Sequence, residues 1–318
     1  MSSLSATQER AVKTILDSPQ RNFLLVGIAG SGKSFVIQDL AERLRLTPEE
    51  VLITSMTGLA ADAVKGDTFH SVTGVGVFNI TESSEDVWVR VSQNVPALLR
   101  LRMCKIFVID EASLLGGTLF GVFEEILRRA RNSVLPFGGV RVILVGDFLQ
   151  LPPFIEKTES MREEQYRILQ KELYCFQSPV WTEKFKPLAI YLRINLRAVD
   201  ETYRKIIEEL SEGFLPERAI AAFESRKQSI NFKTFFSEPE GRIIIATVNT
   251  RVDGIHDEIL KKMDSHLIFK SIDKFNDASA ELSRRLESQF SAQEKVVVAR
   301  KSRVMFLKKH KVLAGESV

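Results

Sequence analysis

NFLLVGIAGSGKS, residues 22–34, is the stretch that decides the predicted fold of this 318-residue chain. It begins with a short apolar run that is typical of a strand buried on both faces. The following GIAGSGKS (27–34) fits the pattern G-x-x-x-x-G-K-[ST]. Glycines in that pattern let backbone N–H groups face a phosphate, and the helix that follows adds its dipole. The stretch predicts a phosphate-binding loop, and a glycine-rich turn without a ligand is the disfavoured alternative.

The side chains of this loop have distinct predicted roles. Lys33 is expected to neutralise the β- and γ-phosphates of a nucleotide, and Ser34 is expected to ligate Mg²⁺. The predicted nucleotide-binding residues of the loop are Gly27, Gly30, Ser31, Gly32, Lys33 and Ser34. ATP and Mg²⁺ are therefore the expected ligands.

A second apolar run ends in two carboxylates. In KIFVIDEAS (105–113), Asp110 lies at the predicted end of a buried strand, where it completes a Mg²⁺ site with Ser34. Glu111 follows and can orient and polarise the attacking water. An Asp-Glu pair after a strand is often a helix N-cap pair, which is the structural alternative. Behind a phosphate-binding loop, the pair favours hydrolysis of ATP over binding alone.

A third buried strand, RVILVG (141–146), delivers Asp147 and Gln150 to a stiff turn in VGDFLQLPP (145–153). Because the carboxyl ends of parallel strands meet at one edge of a sheet, we expect both side chains near the γ-phosphate. The amide of Gln150 can donate and accept hydrogen bonds, so it can sense phosphate and water together. A polar turn with no role is the alternative.

The rest of the chain alternates strands with helices, which predicts parallel sheets covered on both faces. The other predicted strands are 51–55, 188–192 and 242–247, and the predicted helices are 34–46, 58–65, 118–131, 201–212 and 251–262. Residues 75–100 are predicted to form an irregular insertion. A domain boundary is expected near Pro187, before a new strand.

Composition excludes several classes of protein. The two cysteines, Cys104 and Cys175, allow neither a disulfide framework nor a cysteine-rich zinc site. No apolar run approaches the roughly 20 residues of a membrane span, and the N-terminus lacks a secretory or transit pattern. We expect a soluble, intracellular protein without a membrane partner. The net charge of +3 permits a polyanionic partner without demanding one.

Seven segments occur in the order and spacing typical of one group of enzymes. They are GIAGSGKS (27–34), ITSMTGLAADAVKGDTFHSVTGVG (53–76), FVIDEAS (107–113), FGGVRVILVGDFLQLPP (137–153), FQSPVWTEKF (176–185), INLRAVDETYRKIIEELSEG (194–213) and IIIATVNTRV (243–252). The chain resembles the petite-integration-frequency (Pif-type) DNA helicases, superfamily-one enzymes that move 5′→3′ and are related to RecD and Dda.

The resemblance implies an α/β P-loop NTPase with tandem RecA-like parallel sheets flanked by helices. The first ATPase domain would span 1–187 and the second, incomplete domain 188–318. It implies ATP-dependent unwinding, with single-stranded DNA and forked or quadruplex DNA as partners, by a monomer. The implied processes are DNA repair, recombination and telomere maintenance, in the nucleus or in the mitochondrion or cytoplasm.

Further site residues follow from the resemblance alone. Gln8 would hydrogen-bond the adenine edge, and Arg197 would reach the γ-phosphate from the second domain, neutralising charge that develops in the transition state. The expected DNA-contacting residues are Thr57, Gly58, Thr68, His70, Thr247 and Asn249. Ordinary turn and cap residues are the alternative reading of the first four. Phe69, Phe78 and Trp88 are the aromatic candidates for stacking on bases.

The chain departs from the family after SRVMFLKKHK (302–311). Family members continue with a Thr/His/Gln/Gly segment that contacts DNA and with a second arginine finger, and neither appears before Val318. Because such an arginine is worth roughly 10³–10⁵ in rate, turnover is expected to suffer more than binding. The alternative is an ATP-switched DNA-binding module without unwinding activity. A small-molecule kinase is disfavoured by the Asp-Glu pair followed by GDFLQLPP.

Overall fold

The chain forms two compact units, Met1–Ser225 and Arg226–Val318. The computed structural model describes residues 4–44, 46–155, 163–171, 173–227, 245–261, 266–270 and 295–299. Within these residues, no helix has the length and apolar character needed to cross a membrane.

The first unit is built on one parallel sheet of six strands. The strands are β1 (Phe23–Gly27), β2 (Val51–Ser55), β3 (Asp67–Thr68), β4 (Ile106–Asp110), β5 (Arg141–Gly146) and β6 (Leu188–Leu192), in the order β3-β2-β4-β5-β1-β6. Every residue of β4 and β5 is buried, as expected for central strands covered on both faces. The carboxyl ends of β1, β4 and β5 therefore meet at one edge of the sheet.

Helices cover both faces of this sheet. They are α1 (Ala6–Leu16), α2 (Lys33–Arg43), α3 (Gly58–Ala63), α4 (Phe69–Thr73), α5 (Ser84–Gln93), α6 (Val95–Met103), α7 (Gly117–Ala130), α8 (Glu163–Lys171), α9 (Glu201–Ser211) and α10 (Glu217–Ser225). Alternate strand residues point to opposite faces, so one core contains Phe107 with Phe123 of α7. The other contains Val108 with Val12 of α1 and Ile37 of α2. The helices predicted in this unit are confirmed within three residues at their ends.

The predicted irregular insertion at 75–100 is wrong, because most of it is helical. Helix α5 begins after Ser83, whose side chain accepts a hydrogen bond from the Asp86 amide. Helix α6 begins after Asn94, whose side chain accepts from the Ala97 amide. The polar residues that suggested a loop therefore supply helix caps, and Val87 and Val91 between them are buried in the core.

The first unit ends later than the predicted boundary near Pro187. Strand β6 pairs with β1 over its whole length, from Phe23↔Leu188 to Gly27↔Leu192. It is thus the sixth strand of the first sheet, and the chain divides between Ser225 and Arg226 rather than between 187 and 188. A boundary drawn from a proline and a new apolar run cannot register which sheet the new strand joins.

The described part of the second unit contains helix α11 (Asn249–Leu260) and an antiparallel pair, β7 (His266–Lys270) and β8 (Lys295–Ala299). The predicted helix at 251–262 corresponds to α11. Of the strand predicted at 242–247, the first three residues lie outside the described part and the last three are not in a strand. Within ranges 245–261, 266–270 and 295–299, no parallel pair is present. The stretch SRVMFLKKHK (302–311), after which the chain departs from the family, lies outside the described residues.

Candidate nucleotide site

A cavity of about 610 Å³ opens at the carboxyl edge of the first sheet. Its lining residues are Leu4, Gln8, Ala29, Gly30, Gly32, Lys33, Ser34, Phe35, Asp110, Glu111, Gln150, Leu196 and Arg197. The structure therefore brings together nine of the residues predicted to bind nucleotide or metal or to act in catalysis, although they come from five separate stretches of sequence. The remaining two, Gly27 and Ser31, belong to the loop that forms one wall.

Backbone geometry explains the glycines of this wall. Gly30 and Gly32 have φ of 77° and 80°, in the left-handed region that disfavours side chains. A Cβ on Gly30 would lie 2.7 Å from Oδ1 of Asn195, and one on Gly32 would overlap the Gln8 amide. Helix α2 begins immediately afterwards at Lys33. The loop is thus held in a tight turn whose neighbours leave no room for side chains there.

Lys33 is folded onto its own loop in this structure. Its Nζ donates to the carbonyl oxygens of Gly27 at 2.7 Å and Ile28 at 3.5 Å. Burial lowers the pKa of Lys33, against the opposing effect of the carboxylates of Asp147, Glu111 and Asp110. Arg197 is near enough to lower it further. Two cations thus converge on one half-buried space, which favours an anion there.

Asp110 and Glu111 occupy the facing wall. Asp110 is 3% exposed, and burial raises its pKa to about 6, even though its Oδ1 accepts a hydrogen bond from the Glu111 amide at 2.9 Å. Glu111 has φ of 54°, a left-handed conformation that costs of order 1 kcal/mol for a residue with a side chain. This strained backbone turns the chain sharply at the end of β4 and leaves the Glu111 side chain on the cavity wall.

Gln150 is held by Asp147, a residue for which no separate role was predicted. Its Nε2 donates to Oδ2 of Asp147 at 3.0 Å, and Oδ1 of Asp147 accepts from the Leu149 amide at 3.2 Å. Asp147 is buried, and of the three carboxylates it opposes the lowering of the Lys33 pKa most strongly. Asp147 therefore orients Gln150 and balances the charge of Lys33. The signal for this was its place directly after a buried strand.

Arg197 reaches the cavity from an unexpected direction. The resemblance implied an arginine from the second domain, but Arg197 belongs to the first compact unit. It follows β6, the edge strand beside β1, so the chain leaves the sheet next to the phosphate-binding loop. The amide of Leu196 donates to the Gly30 carbonyl oxygen at 2.9 Å. Residues 195–198 are therefore attached to the loop itself, and Asn195 is a second residue that sequence reasoning missed.

Gln8 lies at the cavity, but both ends of its amide are engaged by the chain. Its Oε1 accepts from the Ser5 amide at 2.8 Å in a capping box that starts α1. Its Nε2 donates to the carbonyl oxygens of Ser31 at 3.1 Å and Gly32 at 3.5 Å. In this structure Gln8 braces the phosphate-binding loop, and recognition of adenine by Gln8 stays a prediction.

The residues present fit a nucleoside triphosphate with a divalent cation. Ser34 and Asp110 share the cavity, and a carboxylate whose pKa is raised by burial is stabilised by a nearby cation. The buried hydroxyl of Ser31 has no hydrogen-bond partner, a cost of roughly 1–3 kcal/mol that suits a loop formed to rearrange around a ligand. The Ser34 hydroxyl and the Asp110 carboxylate are oxygen ligands of the kind that Mg²⁺ prefers. The backbone N–H groups of the loop are hydrogen-bond donors of the kind that binds phosphate.

The predicted DNA-contacting residues are less organised. Thr57 caps α3, accepting from the Ala60 amide at 3.3 Å, and Gly58 follows in open space. Thr68 ends β3, and burial lowers the pKa of His70 in α4. These four share one continuous stretch of the first unit. Thr247 and Asn249 belong to the second unit, where Thr247 is exposed and Asn249 begins α11.

The structure contradicts base stacking by Phe69, one of the three aromatic candidates. Phe69 is fully buried, with ring edges against Phe107 and Phe123. Phe78 and Trp88 are partly buried and pack against the same core. All three rings contribute to the core of the first unit, and base stacking by Phe78 and Trp88 stays a prediction.

Comparison with known proteins gives one consistent family. The family model described as PIF1-like helicase matches residues 3–216. The chain is 27% identical over 307 residues to the ATP-dependent DNA helicase PIF1 of Emericella nidulans. This match covers 95% of the present chain and 39% of that protein. It therefore spans about two fifths of the length of that curated relative.

Solved structures agree with the sequence matches. The crystal structure of Pif1 helicase from Candida albicans is 25% identical, with a TM-score of 0.75, covering 94% of this chain and 63% of that one. Pif1 helicase from Bacteroides, in complex with ADP-AlF3 and single-stranded DNA, is 20% identical with a TM-score of 0.67, covering 96% of this chain and 65% of that one. The second likeness concerns the fold alone.

Proposed function

The chain belongs to the PIF1-like helicase family, and from this premise we propose that it is an ATP-driven DNA helicase motor. It hydrolyses ATP with Mg²⁺ at the cavity of the first unit and moves 5′→3′ on single-stranded DNA to unwind duplex. One observation carries the proposal: two cations, Lys33 and Arg197, converge on one cavity with the buried Asp110, the adjoining Glu111 and the Gln150 amide.

The residues divide the work of hydrolysis by position. Lys33 exchanges its contact with the Gly27 carbonyl oxygen for phosphate oxygens, since a phosphate is the stronger acceptor for an ammonium group. Arg197 neutralises charge that develops as the terminal phosphate leaves. Ser34 and Asp110 would hold a Mg²⁺ ion, which would supply further charge neutralisation at the phosphates.

The water that attacks needs an acceptor and an orienting group. Glu111 supplies the carboxylate, and its strained backbone keeps that carboxylate on the cavity wall. Gln150 supplies an amide already oriented by Asp147, so its oxygen remains available to water or its NH₂ group to phosphate. Loss of the terminal phosphate changes what Gln150 can bind. The stiff Leu151-Pro152-Pro153 exit can pass that change along the chain.

The DNA partner rests on the family and on one neighbour. The Bacteroides Pif1 structure contains single-stranded DNA, and we propose the same ligand here, across the stretch from Thr57 to His70 and the segment of Thr247 and Asn249. Forked and quadruplex DNA are further proposed substrates, and a monomer is the proposed working state. Repair, recombination and telomere maintenance are the proposed processes, in the nucleus or mitochondrion.

The test is ATP hydrolysis by the whole chain, with and without single-stranded DNA, for the wild type, Glu111→Gln and Glu42→Gln. Glu42 is an exposed residue of α2 and serves as the matched control. We expect DNA to stimulate the wild type and the control equally. Glu111→Gln should bind ATP normally and lose roughly 10²–10³ in turnover, because the amide cannot take the proton of water. Normal hydrolysis by Glu111→Gln would rule out this assignment.

A binding-only switch is the second candidate. The contact of Lys33 with the Gly27 carbonyl oxygen is one that a nucleotide would break, so binding alone can rearrange the loop. Tight ATP binding without DNA-stimulated turnover in the same assay would favour an ATP-switched DNA-binding module.

A further inference from the structure

Asn195 joins two backbone segments that meet at the nucleotide cavity. Its Nδ2 donates to the carbonyl oxygen of Ala29 in the phosphate-binding loop at 2.9 Å. Its Oδ1 accepts from the amides of Arg197 and Ala198, both at 2.9 Å. One side chain thus closes the turn that carries Arg197 and fastens that turn to the loop.

The surroundings make this bridge tight. Asn195 is 4% exposed, so each of its hydrogen bonds is shielded from water and costly to leave unmade. A Cβ on Gly30 would lie 2.7 Å from Oδ1 of Asn195 and 2.9 Å from Cβ of Arg197, so only glycine permits this approach. The backbone N–H of Asn195 donates to Oε1 of Glu208 in α9 at 3.4 Å, which holds the turn from its other side.

We propose that Asn195 is a positioning residue that fixes Arg197 to the phosphate-binding loop, so that the guanidinium is directed at the terminal phosphate of the nucleotide. The inference rests on the proposed function in taking ATP as the ligand. The arginine is then oriented by the same backbone that holds the phosphates, and its placement requires no movement of the second unit. Without the Asn195 side chain, Arg197 keeps its charge, but its backbone is no longer held against the phosphate-binding loop.

Asn22 provides a matched control for a bridging asparagine. Its Nδ2 donates to the Phe185 carbonyl oxygen at 2.9 Å, and its Oδ1 accepts from the Val142 amide at 2.9 Å. Asn22 precedes β1 and therefore lies at the amino edge of the same sheet, opposite the cavity. Truncation of Asn22 removes a comparable pair of hydrogen bonds, at a position too far from the cavity to affect nucleotide binding directly.

The experiment measures the dissociation constants of ADP and of the non-hydrolysable triphosphate AMP-PNP for the whole chain with Mg²⁺. The variants are Asn195→Ala, Arg197→Ala, the double variant and Asn22→Ala. We expect Asn195→Ala and Arg197→Ala each to reduce the preference for AMP-PNP over ADP by roughly tenfold. The double variant should also lose roughly tenfold, because Asn195 acts through Arg197. Asn22→Ala should lower the melting temperature and leave the preference unchanged.

Asn195→Ser is the second variant, in case the alanine variant does not fold. Serine keeps an oxygen that can accept within the turn, and it is too short to reach Ala29. Its preference for AMP-PNP should fall as in Asn195→Ala. Retained preference in this variant, additive losses in the double variant, or equal weakening of ADP and AMP-PNP would each overturn the inference. A wild-type chain that binds nucleotide and does not hydrolyse ATP would count against the proposed function alone, since the preference is measured by binding.

Discussion

The nucleotide cavity and the stretch from Thr57 to His70 both follow strands of the first sheet, yet they differ in how far they are assembled. At the cavity, side chains from five stretches already converge, and Asp147 and Asn195 hold their neighbours by hydrogen bonds. In the second stretch, Thr57 only caps its own helix and Gly58 meets open space. A small charged ligand is bound by a pocket that is largely formed before the ligand arrives. A nucleic-acid strand can instead be bound along an exposed surface of the protein whose residues are less tightly held in advance.

Lys33→Ala should produce the largest effect, because it removes a cation that the cavity holds half-buried among three carboxylates. We expect steady-state ATP turnover with DNA to fall by roughly 10³, with DNA affinity in the absence of nucleotide unchanged. Lys13→Ala, an exposed lysine of α1, is the control and should behave as wild type. Turnover by Lys33→Ala within a few-fold of the wild-type value would show that ATP is not hydrolysed at this cavity.

Asp110→Asn should stabilise the metal-free, nucleotide-free chain. Burial raises the pKa of Asp110 from 3.8 to about 6, so between about pH 4 and 6 the folded chain holds a proton that the unfolded chain has lost. The stability contributed by this group is complete below pH 4 and is lost as the pH rises through 6, about 3 kcal/mol in all. At pH 8 the variant should therefore exceed wild type in unfolding free energy by up to about 3 kcal/mol.

Denaturant unfolding of both chains between pH 4 and 8, without Mg²⁺, measures this difference. The wild type should approach the stability of the variant as the pH falls. The variant should also lose the Mg²⁺ dependence of ATP binding. A constant gap across the pH range would show that Asp110 is not the buried carboxylate whose pKa is raised.

Gln150→Ala should act on the link between the two regions rather than on either alone. We expect DNA stimulation of ATP turnover to fall by about tenfold, because the amide no longer meets phosphate and water together. ATP affinity should change by less than about twofold, since Lys33 and the loop still hold the phosphates. Titrations of ATP and of single-stranded DNA into wild type and variant separate these effects. Equal losses in affinity and stimulation would contradict a sensing role.

Thr57→Ala should give the smallest effect, because it removes one helix cap. Loss of the hydrogen bond to the Ala60 amide should cost about 1 kcal/mol of stability, and Thr57→Ser should restore it. DNA affinity at two salt concentrations completes the comparison. A variant with lower DNA affinity that serine also restores would show that Thr57 contributes its hydroxyl to DNA. Unchanged affinity would reduce Thr57 to a cap.

The features that could be predicted from the sequence alone are the local ones. GIAGSGKS, Asp110 with Glu111, and Gln150 each follow a short buried strand, and β4 and β5 are buried throughout as their apolar runs predicted. Since parallel strands present their carboxyl ends at one edge, the spacing of these motifs was enough to predict a shared site. The roles predicted for these residues did not depend on contacts between distant elements.

The sheet that β6 joins, and therefore the unit to which Arg197 belongs, could be read only from the folded structure. A proline and a new apolar run look the same before an edge strand as before a new domain, whereas the hydrogen bonds between β6 and β1 settle the matter. The roles of Asn195 and Asp147 likewise depend on partners in the loop and the turn that no spacing records. Buried polar side chains need hydrogen-bond partners wherever the fold places them. Their roles therefore depend on tertiary contacts, which the spacing of residues in the sequence does not show.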